Sequence, residues 1–128
     1  MALKNRILVV DDDVATVDIL HTFLTIKGFD VRTALSGREA IRISKEWHPH
    51  LILLDIIMPD LDGYETLDLL KEQHEDICVL MITGMDDIDV GRKALGMGAS
   101  DFITKPLDLD YLERSVVEKL RTLLNEQF

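Results

Sequence analysis

The chain has 128 residues, enough for one domain with an enclosed core, and its 47% apolar and 30% charged content describes a folded globular chain. A net charge of −10 and a pI near 4.7 argue against direct nucleic acid binding, because an acidic surface repels phosphates and no basic stripe offsets it. A solitary cysteine, Cys78, excludes an intramolecular disulfide and a Cys-based zinc site.

Lys4 and Arg6 precede the apolar run 7–10, which is too short for a signal peptide or a membrane span. A cytoplasmic location with no membrane association is the expectation. The run ends in Asp11-Asp12-Asp13. Asp13 can cap a helix with Val17, Leu20, Phe23 and Leu24 at helical spacing, closed by Gly28. Residues 29–33 are a weaker strand candidate. Ser36 and Glu39 then read as a capping box for a helix to about residue 46.

His48-Pro49-His50 falls in a helix–strand connection, with Pro49 as a breaker. Its imidazoles have no nearby third ligand, so a metal reading is set aside. The run 51–54 ends in Asp55, and a bare carboxylate after a buried strand is costly unless it serves chemistry. Met58 and Met85 read as pocket rim. Asp62 and Glu65 repeat the capping logic for a helix to about Gln73. The run 79–82 ends in Thr83, with Cys78 beside it as a small buried hydrophobe. Asp86 and Asp87 favour a helix start at the positive end of its dipole, although Gly91 and Gly96 weaken that helix. Phe102-Ile103 is a short strand ending at Lys105-Pro106. A final helix from near Asp108 carries Leu112, Val116, Leu120 and Leu123 on one stripe.

Apolar runs without in/out alternation suit parallel strands covered on both faces, and their alternation with helices predicts a doubly wound α/β domain of about five strands. In such a sheet the strand ends share one edge. Carboxylates, a hydroxyl and an ammonium would converge there, a set suited to Mg²⁺ and a phosphoryl group. Asp12 and Asp13 each have the alternative reading of a helix cap, Thr83 of a β-branched strand end, and Lys105 of a surface lysine.

The stretches Ile7-Leu8-Val9-Val10-Asp11-Asp12, Leu53-Leu54-Asp55-Ile56-Ile57-Met58-Pro59, Asp62-Gly63, Ile82-Thr83-Gly84, Gly98-Ala99 and Lys105-Pro106 stand in an order and spacing that together are specific. In them the chain resembles the response-regulator receiver family of two-component signalling (the CheY-like superfamily), across essentially its whole length. The resemblance implies a flavodoxin-like (βα)5 fold with parallel strand order 2-1-3-4-5, one receiver domain over 1–128 and no effector domain in this chain. It implies Asp55 as the phosphorylated residue, and Asp11, Asp12, Asp55 and the Ile57 main-chain carbonyl as ligands of Mg²⁺, with Mn²⁺ as a substitute. Thr83 resembles the switch hydroxyl, Lys105 the phosphoryl-pairing lysine, Phe102 the coupled aromatic, and the Lys105–Pro106 bond is expected to be cis. His50 departs from the acidic residue common at its place.

The expected partners are a sensor histidine kinase or histidine phosphotransfer protein, and a second copy through the last two helices. The expected role is a phosphoacceptor switch, not an enzyme with a diffusing substrate. Two rivals fit less well. An aspartyl-phosphate phosphohydrolase wants a second aspartate close after the nucleophile, where Ile56 and Ile57 stand, and a flavin module wants a hydroxyl- or glycine-rich loop where Asp11-Asp12-Asp13 stand.

Overall fold

A computed structural model describes residues 4–84 and 88–126. Strands β1 (Arg6–Val10), β2 (Asp30–Ala34), β3 (Leu51–Asp55), β4 (Cys78–Thr83) and β5 (Asp101–Thr104) alternate with helices α1 (Val14–Ile26), α2 (Gly37–Trp47), α3 (Gly63–Gln73), α4 (Ile88–Gly96) and α5 (Leu109–Glu126). The strands form one parallel sheet in the order β2-β1-β3-β4-β5. The fold is therefore the flavodoxin-like one expected. No helix among the described residues is long and apolar enough to cross a membrane.

The unalternating apolar runs have a simple cause: both sheet faces are covered. Ile7, Val9, Leu51, Leu53, Leu80, Ile82 and Ile103 face α1 and α5, meeting Leu20, Leu24, Leu112 and Val116. Leu8, Val10, Ile52, Leu54, Val79 and Met81 face the other way, against Ala40 and Ile43 of α2, Leu67 and Leu70 of α3, and Ala94 of α4. A strand's side-chain period of two sends alternate residues into separate cores, so every position in β3 and β4 is apolar until the last. The edge strand β2 is the exception and alternates.

The helix starts follow from their caps. Asp13 accepts from the Ala15 N–H, Ser36 from Glu39 and Asp62 from Glu65. Glu39 reaches back to the Leu35 N–H at 3.5 Å, one residue earlier than an ideal capping box. Asp86 and Asp87 lie outside the described residues. Met58 differs from its rim reading: it is buried in the core that faces α2, α3 and α4. Met85 lies outside the described residues. Cys78 is buried and free.

Candidate functional site

The three acidic and basic strand-end groups meet because they share a parity. Asp11 continues the Ile7, Val9 series, Asp55 the Leu51, Leu53 series, and Lys105 follows Ile103. In a pleated strand these positions point to one face, so at the carboxyl edge all three fall on the α1/α5 side. Register completes the placement, since Val10 pairs with Leu54 and sets Asp11 beside Asp55.

Asp11 is 1% exposed and Asp55 5%, whereas Asp12 is exposed. One carboxylate oxygen from each lies within 4.8 Å of the others. Lys105 reaches between the two buried acids, its Nζ 3.4 Å from Asp11 Oδ2 and 3.6 Å from Asp55 Oδ2. Asp11 Oδ1 accepts from the Asp13 N–H at 3.0 Å. Asp13 itself caps α1, its Oδ2 also accepting from the Thr16 hydroxyl at 2.9 Å. The run of three aspartates is thus divided: two face the cluster and the third serves the helix.

Such crowding is electrostatically expensive. The Asp55 carboxyl is pushed up from 3.8 to about 6, first by burial and then by the charge of Asp11; Lys105 and the Ile57 N–H oppose the rise, and Asp12 adds to it. For Lys105, burial acts to lower the ammonium's pKa, but the neighbouring charges of Asp55 and Asp11 outweigh it and leave the pKa raised. The set lacks the positive charge that would balance three carboxylates. Its hard oxygen donors fit a Mg²⁺-type cation.

Thr83 is buried at the end of β4, and its hydroxyl donates to the Gly84 carbonyl at 3.2 Å. Its parity is that of Val79 and Met81, so it belongs to the opposite face from Asp55. Phe102 shares that face and packs half-buried against the α4-side core. The Lys105 N–H bonds to the Thr83 carbonyl at 2.8 Å, which ties the two strand ends together. The Lys105–Pro106 peptide is cis.

One feature of the site was not assigned from sequence. A Cβ on Gly63 would collide with the Ile56 Cα and lie 2.6 Å from the Asp55 carbonyl oxygen, so only glycine lets α3 start this close to the acidic loop. A glycine directly after a cap residue was the available signal. At the opposite edge of the sheet, His50 Nδ1 accepts from the Arg6 N–H at 2.9 Å in place of the pairing an acid would make.

The family model for the response regulator receiver domain matches residues 7–117. This chain belongs to the response-regulator receiver family. A probable transcriptional regulator, ycf27 of Porphyridium aerugineum, is 40% identical over 92% of this receiver chain and 49% of its own length. Regulatory protein AtoC of Escherichia coli is 34% identical over 94% of the chain and 26% of its own length. The chain thus spans about half or less of the curated relatives it matches. Among solved structures, the receiver domain of NtrX from Brucella abortus superposes with a TM-score of 0.87 at 37% identity, covering 91% of this chain and 98% of that one. A CheY-like receiver from Methanospirillum hungatei reaches 0.92 at 30% identity, covering 97% and 99%.

Proposed function

We propose that this receiver domain is a phosphoacceptor switch in which Asp55 takes a phosphoryl group from a phosphohistidine on a sensor kinase or phosphotransfer protein. The observation that carries the reading is the Lys105 ammonium bridging two buried carboxylates that a third, exposed one joins. An Asp55 oxygen attacks phosphorus, the phosphorus–nitrogen bond of the donor breaks, and the imidazole leaves with the electron pair and takes up a proton.

Asp11, Asp12 and Asp55, with the Ile57 main-chain carbonyl, would hold Mg²⁺; when bound, it supplies charge neutralisation between the carboxylates and the phosphoryl oxygens. Lys105 exchanges its present carboxylate partners for a phosphoryl oxygen. Thr83 exchanges its Gly84 partner for another, and Phe102, on the same face as Thr83, follows.

Beside Lys105 lies an apolar hollow of about 310 Å³ lined by Ile19, Leu20, Pro106, Leu107 and Leu109. With Ile19 more than half exposed, it suits the docking of a donor helix close to Asp55. The altered surface then lies around α4 and α5, where a second copy would pair. On this reading the domain occupies 1–128, works in the cytoplasm, and catalyses only its own phosphorylation and dephosphorylation.

The test is intact-mass analysis after incubation with acetyl phosphate and Mg²⁺. One added phosphoryl group is expected on the native chain and none on Asp55→Asn. Equal phosphorylation of both would remove Asp55 from the mechanism.

A further inference from the structure

At the opposite edge of the sheet, where helices end and strands begin, two histidines 26 residues apart in sequence come together. His48 Nδ1 lies 3.4 Å from His74 Nε2. Each is the C-cap of its helix, His48 of α2 and His74 of α3. We infer that His48 and His74 form a second cation site, for a borderline divalent ion of the zinc class, independent of the carboxylate pocket.

Three observations converge on a cation. The first is the spacing. A separation of 3.4 Å is long for a nitrogen–nitrogen hydrogen bond. Two imidazole nitrogens at about 2.0–2.1 Å from a tetrahedral Zn²⁺ lie roughly 3.3–3.4 Å apart, so the span fits two ligands of one ion.

The second is the field. α2 and α3 both connect parallel strands on the same sheet face, so their carboxyl ends point the same way. The negative ends of two helix dipoles therefore meet at the two rings, and this favours positive charge between them.

The third is preorganisation. His48 adopts a left-handed conformation, φ 55 and ψ 66, which few non-glycine residues adopt. Its carbonyl accepts from Arg6 Nε at 3.1 Å and Nη2 at 2.8 Å, while its N–H donates to Ser44 O at 3.0 Å. The ring that faces His74 is thus carried on a fixed backbone. His50 is excluded as a further ligand through Nδ1, which already serves the Arg6 N–H. With two protein ligands, the remaining positions are left to water. Imidazole nitrogens select zinc-class ions, while Mg²⁺ prefers the hard oxygens at the other edge.

The experiment is a Zn²⁺ titration of the full chain in excess Mg²⁺, followed by amide and imidazole NMR signals. Saturable shifts are expected at His48, His74 and the ends of α2 and α3, unchanged in an Asp12→Ala chain. Apparent affinity should fall at least about tenfold in His48→Asn, which still tolerates the left-handed backbone, and likewise in His74→Gln. The double substitution should abolish the shifts. Zn²⁺ that perturbs only the surroundings of Asp11, Asp12 and Asp55, or that moves the helix ends equally in the double variant, overturns the site.

Discussion

The ring of Phe102 occupies the space where a side chain on Gly91 would begin: a Cβ built there would meet ring carbons at 2.6 Å. Gly91 therefore does more than loosen α4; its missing side chain is the seat of the aromatic on β5. Gly96, in the same helix, has nothing within 4 Å of its own Cβ position. The two glycines of α4, alike in sequence, are expected to respond oppositely to alanine. Gly96→Ala should stabilise the apo protein by up to ~1 kcal/mol, the ordinary helix-propensity gain. Gly91→Ala should destabilise it by about 1–3 kcal/mol, because the methyl overpacks against the ring. Adding Phe102→Ala should cancel that loss, and a double-mutant cycle by urea denaturation reads the coupling. Additive effects would mean that the ring and the glycine are not in contact.

The raised pKa of Asp55 sets a pH dependence of unusual sign for an aspartate. Its folded pKa of about 6 exceeds the unfolded 3.8, so the native state binds the proton more tightly. That contribution to stability is fully present below 3.8 and is lost as pH rises through about 6. A rise from 3.8 to about 6 corresponds to at most roughly 3 kcal/mol. Asp55→Asn should therefore stabilise the metal-free fold at neutral pH by about 1–3 kcal/mol, with the advantage shrinking as the pH is lowered toward about 4. Denaturant midpoints measured across that range check it. A constant difference between the two proteins would show that Asp55 is not strained by its neighbours.

Cation binding should relieve the same repulsion. A cation that binds only the folded state adds RT ln(1 + [L]/Kd), ~2.7 kcal/mol at one hundred times Kd. Millimolar Mg²⁺ is expected to raise the melting temperature. Asp12→Ala should remove most of that rise while leaving the apo fold intact, since Asp12 is exposed and packs in neither core. A melting temperature indifferent to Mg²⁺ would count against the pocket.

Ile57 is 73% exposed beside the proposed acceptor and offers no group to orient a water for attack on phosphorus. Slow loss of the phosphoryl group is expected. Ile57→Asn together with Met85→Glu, at the positions two after Asp55 and two after Thr83 in sequence, should shorten its lifetime several-fold in a radiolabel or mass-based decay. An unchanged lifetime would show that the side chains at these two positions do not limit hydrolysis.

Much of this molecule was legible in its residues because the governing interactions are short in sequence. The caps at Asp13, Ser36 and Asp62 act over two or three residues, and the buried runs that end in Asp11, Asp55 and Thr83 report strands covered on both faces. The strand-end chemistry followed, because a parallel sheet brings all carboxyl ends to one edge whatever the loops do. Loop residues were less legible. Met58 looked like pocket rim from its neighbours and is core, since the chain turns inward after Ile57.

Sequence by itself determined the strand–helix alternation and the shared edge of Asp11, Asp55 and Lys105, because periods of two and 3.6 are properties of the local backbone. Only the tertiary structure decided that Lys105 spans two particular carboxylates, that Phe102 rests on Gly91, and that His48 finds His74 rather than His50. Those contacts depend on strand register and on how each helix end docks, and both are set by packing across the whole sheet. No spacing along the chain encodes them.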